Sequence, residues 1–263
     1  MDASGPARET SGLAAITAGG PHAWITINAL RKAYGEFPVL VEEGEPAGRF
    51  WRRRLKRLGP VRVAGQWGQM MLARATKPLS RARVPELIAE YDLKPEPADD
   101  QVILRVASVN SEAGREALQA LAPRAIYIVG TRMIGNRTLS CINAPFINYH
   151  SGITPGYRGI HGGYHALARG EPQHFGTTLH LVDSGIDTGD ILAQVQVRPG
   201  KRDNFHTYLW LMAAQSREAV VRVMGEALNG QLRPYRRDDM EDGLYFGPTL
   251  WSYLWAGLRR GVW

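Results

Sequence analysis

Short apolar runs alternate with segments of helical periodicity along most of this 263-residue chain. The pattern is sharpest in the middle, where residues 102–106, 125–129 and 146–149 have the composition of buried strands. Residues 111–121 carry a helical pattern that begins at a serine able to cap it. Strands that alternate with helices pair in parallel, because each helix carries the chain back across the sheet. The sequence therefore predicts an α/β fold, a mostly parallel twisted sheet with helices on both faces.

The same patterns divide the chain into a tail, one domain and an extension. Further strands are predicted at 13–18, 37–41, 176–182 and 191–197, and further helices at 22–34, 47–58, 84–91 and 205–228. We expect a flexible polar tail over residues 1–12 and one domain over residues 13–230. Residues 231–263 form an aromatic-rich extension that packs on the domain or forms an interface such as a homodimer. Over residues 244–263 only Arg259 and Arg260 accompany the aromatic residues, too few cations to favour a helix bound at a membrane surface.

Composition indicates the compartment and the charge of the partner. The single cysteine, Cys141, cannot form a disulfide within the chain, which favours a reducing compartment. The first residues lack the apolar stretch of a secretory signal, and no run reaches the roughly 18 apolar residues of a membrane-spanning helix. We therefore predict a cytoplasmic protein without a transmembrane segment. A formal net charge of +7 favours an anionic partner, such as a polyglutamylated cofactor, a nucleotide-linked substrate, nucleic acid or an acidic membrane surface.

Three local clusters have the composition of ligand sites but also simpler explanations. Residues 49–57 hold six cations, which indicate either a solvated helix face or contacts with phosphates. His161 and His165 are four residues apart in an expected helix, the spacing of some zinc sites. No acidic ligand or general base accompanies them, so we predict a supporting or substrate-contacting role and no metal. Residues 19–21, Gly-Gly-Pro, lack a full phosphate-binding fingerprint and are predicted to be a plain turn.

Polar residues follow two of the predicted strands in a pattern that indicates a catalytic centre. Phe146 begins the stretch FINYHSGITPGYRG, and Gly176 begins the stretch GTTLHLVDSGIDTGDILAQ. Together they resemble the 10-formyltetrahydrofolate-dependent formyltransferase family, which includes glycinamide ribonucleotide, methionyl-tRNA and amino-sugar enzymes. Members of that family have Asn-x-His at a strand end, then Pro-x-Tyr/Trp-Arg-Gly, and later a loop that ends in Asp-x-Gly. The resemblance covers about residues 125–200 and implies a Rossmann-like catalytic domain.

The resemblance implies a catalytic trio of Asn148, His150 and Asp187. Residues 148 and 150 lie on one face of an extended strand, with Tyr149 on the other. When a formyl group passes to an amine, negative charge builds up on the formyl oxygen, and each donor aimed at it contributes on the order of 3 kcal/mol. Asn148 would supply an amide donor and His150 a second donor or proton relay. Asp187 would hold the imidazole and favour its protonated form.

Further site residues follow from the resemblance alone. The segment 128–134 matches the stretch whose backbone holds the pterin in relatives, and the loop at 182–187 covers its other side. The residues predicted to bind the formyl donor, 10-formyltetrahydrofolate, are Gly130, Arg132, Met133, Ile134, Val182, Asp183 and Gly185. Those predicted for the acceptor are Ser151, Tyr157, Arg158 and His180, of which Arg158 either meets the acceptor or braces the loop. The chain departs from its relatives at residues 152–154, which predicts a reshaped substrate side.

The resulting prediction is an enzyme that transfers a formyl group from 10-formyltetrahydrofolate to the amine of a small or carrier-linked substrate, of amino-sugar or amino-acid type. The segment after residue 230 is short for the C-terminal barrel with which tRNA-formylating relatives hold tRNA, which favours a small acceptor. Three alternatives stay open: methionyl-tRNA formylation, hydrolysis of the formyl-folate, and folate binding without turnover. Nucleic acid is thus the less favoured partner, and no metal is expected.

Overall fold

The computed structural model describes residues 11–263, so most of the predicted tail over residues 1–12 lies outside the described residues. The strands are β1 (Leu13–Thr17), β2 (Val39–Glu42), β3 (Ile103–Val106), β4 (Ala125–Val129), β5 (Phe146–His150), β6 (Arg158–Gly159), β7 (Gly176–Leu181), β8 (Ile191–Gln196) and β9 (Leu244–Tyr245). The α-helices are α1 (Pro21–Tyr34), α2 (Ala47–Leu58), α3 (Pro60–Thr76), α4 (Arg83–Tyr91), α5 (Glu112–Leu121), α6 (Asn136–Leu139), α7 (Gly162–Arg169), α8 (Tyr208–Leu228) and α9 (Leu250–Arg260). Within residues 11–263, none of these helices has both the length and the apolar composition needed to cross a bilayer.

Seven strands form one sheet in the order β3-β2-β1-β4-β5-β7-β8. Neighbours from β3 to β5 pair in parallel, whereas β7 is antiparallel to both β5 and β8. The mostly parallel α/β sheet predicted from the alternating pattern is confirmed. The strand order reverses between β1 and β4, and a crevice forms at the carboxyl ends of strands on either side of such a reversal. The topology therefore places a binding site at this edge of the sheet.

Helices cover both faces of the sheet, and successive side chains of each strand enter two different cores. On β5, Ile147 and Tyr149 pack towards α1 and α8, whereas Phe146 packs towards α5. Because both faces are covered, β1 and β4 are buried along their whole length and are continuous apolar runs in the sequence. The alternation turns Asn148 and His150 to the face opposite Tyr149, as the strand pattern predicts.

A second group of helices packs around the start of α8, where α4, α7 and α9 share one apolar core with a side chain of α3. Periodicity does not predict α3, because Gly65 and Gly68 lower its helix propensity. Both glycines face α9 in the structure. A Cβ at Gly65 would collide with the ring of Trp251, and one at Gly68 would press on Leu250. The glycines thus weaken the local signal for a helix while they allow two helices to pack closely.

The aromatic extension contacts the rest of the chain at several places. Its strand β9 pairs with β6 in a two-stranded sheet, and α9 packs against α3 and α7. Thr249 caps α9 through a reciprocal pair of hydrogen bonds with Ser252. Within the described residues the extension therefore packs on the domain, while a homodimer formed through it stays a prediction.

The carboxylate of Glu42 ties together the loops that follow β2, β3 and β4. Its side chain is fully buried and accepts hydrogen bonds from the Ser108 hydroxyl at 3.2 Å and the Val109 amide at 3.0 Å. Arg132 donates to it from the backbone amide at 3.3 Å and from the guanidinium at 3.1 Å. These donors offset the cost of burying the charge. The loops that these hydrogen bonds join lie at the carboxyl edge of the sheet, where the topology places the binding site.

Replacing Glu42 with Ala should lower the free energy of unfolding by about 3 kcal/mol, because it leaves a guanidinium and buried N–H groups without their acceptor. The matched control is Glu43→Ala, since Glu43 is the next residue along the chain and is exposed. We expect the control to change stability by less than about 0.5 kcal/mol. Urea unfolding of both variants measures the difference. Equal effects would show that the Glu42 cluster contributes no special stability.

Candidate active site

A cavity of about 800 Å³ opens at the carboxyl ends of β1, β4 and β5, beside the reversal in strand order. Its walls include His22 at the start of α1, the loop after β4, the end of β5 and the loop after β7. Small-molecule sites in proteins have volumes of roughly 300–1,000 Å³. Both the position and the size of this cavity therefore indicate the active site.

Three polar side chains and one backbone amide meet around the carboxylate of Asp187. One oxygen, Oδ2, lies 3.4 Å from His150 Nδ1 and accepts a 2.9 Å hydrogen bond from the Gly159 amide. The other oxygen, Oδ1, lies 3.2 Å from Asn148 Nδ2 and 3.4 Å from His180 Nε2. The structure thus brings the three predicted catalytic residues together and adds His180 to the same cluster.

The surroundings of His150 determine which ring nitrogen can exchange a proton. Its Nε2 lies 2.7 Å from the carbonyl oxygen of Tyr157, which can only accept, so Nε2 carries a hydrogen. The other nitrogen, Nδ1, faces Asp187 and can gain or lose a proton without breaking the Tyr157 contact. The side chain is only 6% exposed. His150 is therefore fixed in orientation while one nitrogen stays available for chemistry.

The amide of Asn148 is oriented by two acceptors. His180 Nδ1 donates to the carbonyl of Leu181 at 2.8 Å, which leaves its Nε2 as an acceptor. The Nδ2 atom of Asn148 lies 3.1 Å from that nitrogen and 3.2 Å from Asp187 Oδ1. Since the Asp187 carboxylate can only accept, the NH₂ end of the amide points towards it. This end of the amide is engaged by its neighbours in the protein, whereas the sequence predicts a donor aimed at the substrate.

The neighbours of Asp187 keep its carboxylate charged. The residue adopts a left-handed backbone conformation with φ of 51°, which aspartate tolerates better than most residues. Burial raises the pKa of this carboxyl, but the charge that His150 carries when protonated, the proximity of His180 and the Gly159 amide lower it. The net result is a pKa well below its usual range. Asp187 is therefore ionised throughout the physiological pH range.

The residues predicted to bind the formyl donor all line the cavity: Gly130, Arg132, Met133, Ile134, Val182, Asp183 and Gly185. Gly130 has φ of 63°, and a Cβ there would approach His22 Nε2 to 3.2 Å. The guanidinium of Arg132 points away from any ligand, because it donates to Glu42 and to the carbonyls of Ala107 and Glu43. Arg132 therefore supports the wall through its side chain, and its contact with a donor stays a prediction for the backbone alone.

Two residues predicted to bind the acceptor lie elsewhere. Ser151 and His180 line the cavity, but the hydroxyl of Tyr157 donates to Glu171 at 2.6 Å, and its ring stacks on Tyr245. Arg158 pairs with Asp242 and donates to the carbonyl of Ile186 at 2.9 Å. For Tyr157 the structure corrects the prediction, because this residue holds His150 through its carbonyl. For Arg158 the contacts agree with the second of its two predicted roles, since it braces the loop that carries Asp187.

The departure from relatives at residues 152–154 lies behind His150. A Cβ at Gly152 would collide with the carbonyl oxygen of Tyr157 and come within 2.7 Å of His150 Nε2. Gly152 and Thr154 are buried, and the Thr178 hydroxyl donates to the Gly152 carbonyl at 2.8 Å. Glycine at this position therefore lets the Tyr157 carbonyl reach the imidazole. Glycine here supports His150 from behind, while the predicted reshaping of the substrate side stays a prediction.

His161 and His165 face different cavities. His161 precedes α7 with φ of 60° and lines the active-site cavity, so the two histidines do not share one helix face as predicted. His165 lines a second groove, and its Nε2 lies 2.8 Å from the carbonyl of Phe246. Burial lowers the pKa of each imidazole to about 4. Within residues 11–263, no three His, Cys, Asp or Glu side chains are grouped to hold a metal ion.

The basic helix α2 forms a wall of the cavity, which periodicity alone could not place. Its residues on this wall are Arg49, Arg53, Arg54, Arg57 and Leu58. Arg53 pairs with Glu45 at 2.9 Å, and Arg54 donates to Gln66 at 2.8 Å. The only sequence signal for this wall was the density of cations, which does not tell a binding surface from a solvated one.

Comparisons with known proteins indicate the family of this chain. Residues 73–224 match the family model described as formyl transferase. A methionyl-tRNA formyltransferase from Anaeromyxobacter dehalogenans (strain 2CP-1 / ATCC BAA-258) is 33% identical over 181 residues, which cover 68% of this chain and 52% of that protein. This chain thus spans about half the length of the curated relatives it matches.

Solved structures of formyltransferases share the fold at low sequence identity. A phosphoribosylglycinamide formyltransferase from Anaplasma phagocytophilum aligns with a TM-score of 0.56 at 13% identity, covering 89% of this chain and 98% of that one. An N-formyltransferase from Helicobacter canadensis, in complex with folinic acid and dTDP-3-aminofucose, aligns with a TM-score of 0.54 at 12% identity, covering 89% and 70%. With the family match over more than half its residues, the chain belongs to the formyl transferase family.

Proposed function

We propose that this chain transfers a formyl group from 10-formyltetrahydrofolate to the amine of a small or carrier-linked acceptor, of amino-sugar or amino-acid type. The observation that carries the proposal is the meeting of Asn148, His150 and Asp187 in one cavity. An amide, an imidazole and an ionised carboxylate supply the donors and the proton relay that acyl transfer to nitrogen requires. Membership of the formyl transferase family supports the proposal.

His150 would hold and deliver the proton at Nδ1. The Nδ1 atom faces the Asp187 carboxylate at 3.4 Å, a separation too long for a strong hydrogen bond, so a proton held there stays available for transfer. A cationic donor at this position stabilises negative charge on the formyl oxygen and can then protonate the leaving nitrogen. Asp187 would take up the proton that the attacking amine loses, through an intervening water.

Asn148 would contact the formyl oxygen after it exchanges one partner. Its hydrogen bond to Asp187, at 3.2 Å, is the longer of the two it makes, and its bond to His180 keeps the amide nitrogen in place. Catalytic hydrogen bonds are often misaligned in a ligand-free protein and tighten only when substrate is bound. His180 acts in this scheme as a positioning residue, because it holds Asn148 and does not itself meet the reacting atoms.

The cavity walls fit a flat ring system with polar edges. Ile128, Ile134 and Val182 supply apolar surface, while Gly130 and Gly185 let the ring approach the backbone. When bound there, 10-formyltetrahydrofolate supplies the activated formyl group. The chain's own contribution is to hold the ring between two loops and to present His150 and Asn148 to the carbonyl.

The arginines of α2 support an acceptor that carries a phosphate or diphosphate group. Arg49 and Arg57 stand on the cavity wall beside Arg53 and Arg54, so the wall presents several cations to a ligand. Guanidinium groups bind phosphate oxygens in a bidentate geometry that suits a nucleotide-linked amine. The nucleotide sugar in the Helicobacter canadensis complex is a molecule of this class.

Methionyl-tRNA formylation is the second candidate, favoured by the 33% identity to the Anaeromyxobacter protein and by the same cationic wall. The two candidates separate in one assay with two acceptors, initiator methionyl-tRNA and a nucleotide-linked amino sugar. If methionyl-tRNA is formylated and its binding to the protein weakens steeply as salt rises, methionyl-tRNA formylation replaces the proposed function. Formylation of the sugar amine alone would support it.

Replacing His150 with Ala should lower the rate of formyl transfer about a thousandfold, because it removes the proton donor at the reacting carbonyl. Release of tetrahydrofolate and of formylated product, measured across a panel of amines, provides the readout. The matched control is His206→Ala, since His206 contacts Thr76 outside the cavity. A wild-type protein that releases only formate would be a hydrolase, and one that binds folate without turnover would refute the proposal.

Asp187→Asn should lower the free energy of unfolding at neutral pH, because the native state holds the wild-type carboxylate ionised. The unfolded carboxyl takes up a proton below about pH 4, whereas the folded one stays charged to lower pH. The difference between wild type and variant should therefore persist down to about pH 4 and shrink below it. Urea unfolding over a pH series measures it, and a difference that grows in acid would contradict the assignment.

The double variant Arg49→Gln/Arg57→Gln should raise KM for a diphosphate-linked amine about tenfold and leave kcat nearly unchanged, because it removes binding energy remote from the reacting carbon. Arg52→Gln/Lys56→Gln is the matched control, since these residues belong to the same helix but not to the cavity wall. Steady-state kinetics with charged and uncharged amines separates the effects. An equal rise in KM for an uncharged amine would exclude phosphate recognition.

A further inference from the structure

The helices α2, α3 and α9 together form a surface that we term the basic aromatic surface. α3 packs against α2 on one side and α9 on the other. No aspartate or glutamate occurs between residues 47 and 85, which contain α2 and α3, or between residues 244 and 263, which contain α9. The sequence separates these two stretches by more than 150 residues, and only the fold brings them together. A carboxylate from outside them, that of Glu45 just before α2, pairs with Arg53 at 2.9 Å.

Cations are exposed on all three helices of this surface. They are Arg49, Arg52, Arg53, Lys56, Arg57, Arg62, Arg74, Arg259 and Arg260. Residues 244–263 carry Arg259 and Arg260 as their only cations, which by themselves are too few for a membrane-surface helix. The structure places α3, with α2 packed on it, against α9, and these two helices supply the positive charge that residues 244–263 lack.

Large apolar side chains are exposed on the same surface. On α9, Trp251, Leu254, Trp255 and Leu258 follow helical spacing and are 52%, 37%, 53% and 81% exposed. The opposite side of α9 is buried through Tyr253, Ala256 and Gly257. α9 thus has two apolar faces, of which one packs on the domain and the other faces outward. An outward stripe of this kind is typical of helices that lie in a membrane interface.

The apolar and cationic groups lie next to one another in space. Val61 and Arg62 of α3 line one groove of about 560 Å³ with Trp251 and Trp255 of α9. Arg260 lies over the ring of Trp255, with 5.7 Å between the guanidinium carbon and the ring centroid. Phe246 lines both this groove and the active-site cavity. A partner bound to the basic aromatic surface would therefore lie next to the catalytic cavity.

We propose that the basic aromatic surface docks this protein on bilayers that contain anionic phospholipid. The tryptophan and leucine side chains of α9 enter the headgroup region. The cations of α2 and α3 that do not line the active-site cavity face the lipid phosphates, namely Arg52, Lys56, Arg62 and Arg74. A symmetric dimer through this surface would bring two cationic faces together, which repulsion disfavours. Nucleic acid would use the cations but not Leu254 and Leu258, whose aliphatic side chains neither stack on bases nor pair with phosphate.

Flotation of the full chain with lipid vesicles tests the proposal. Vesicles of phosphatidylcholine with phosphatidylglycerol should carry the protein, vesicles of phosphatidylcholine alone should not, and added salt should weaken the binding. Arg52→Gln/Lys56→Gln should lower the partition coefficient about thirtyfold, because it removes two cations that each contribute to binding at the anionic interface. Arg105→Gln/Arg137→Gln removes the same charge from exposed positions outside the surface and should change binding little.

A second variant tests the apolar contribution. Trp255→Ser/Leu258→Ser changes exposed side chains, so the fold should persist, and binding should fall at least about tenfold as apolar burial is lost. The proposal would be overturned if the protein does not bind anionic vesicles, or if Arg105→Gln/Arg137→Gln lowers the partition coefficient as much as Arg52→Gln/Lys56→Gln does.

Two further results would also overturn it. One is a wild-type dimer in sedimentation that the Trp255→Ser/Leu258→Ser variant dissociates, and the other is release of the protein from vesicles by a low concentration of tRNA.

Discussion

The ionised carboxylate of Asp187 is the interaction on which the catalytic centre depends. It joins the end of β5 to a loop 39 residues further along the chain, through contacts with Asn148 on one oxygen and His150 on the other. A buried charge is stable only when donors surround it, and here an amide side chain, an imidazole and the Gly159 backbone do so. The low pKa of this carboxyl and the orientation of both strand residues follow from the same set of contacts.

Support for this cluster comes from backbone atoms as much as from side chains. The Tyr157 carbonyl fixes one nitrogen of His150, and this contact needs glycine at position 152, where a Cβ would collide with that carbonyl. Arg158 holds the loop carrying Asp187 through the carbonyl of Ile186. Residues that a motif marks as important can therefore act by holding the chain, while the substrate meets other groups.

Charge is distributed unevenly around the cavity, and this links the proposed chemistry to the proposed docking. The carboxylate of Asp187 lies inside beside the histidines, whereas the arginines of α2 stand on the wall and continue onto the basic aromatic surface. Glu42 is a second carboxylate of this region, and its oxygens accept hydrogen bonds that join the loops after β2, β3 and β4. An anionic group approaching the cavity would therefore meet cations first and the catalytic carboxylate last.

The sequence predicts the mostly parallel sheet from hydrophobic periodicity and the trio of Asn148, His150 and Asp187 from short motifs, because both signals are local. It did not reveal α3, because Gly65 and Gly68 lower helix propensity. Both glycines contact a helix more than 180 residues away, which local patterns cannot show. Nor did it separate Tyr157 and Arg158 from ligand-facing residues, because the direction of a side chain depends on partners such as Glu171 and Asp242. Only the tertiary structure placed α2 on the cavity wall and α9 beside α3, since packing between distant segments decides which charges and apolar groups share a surface.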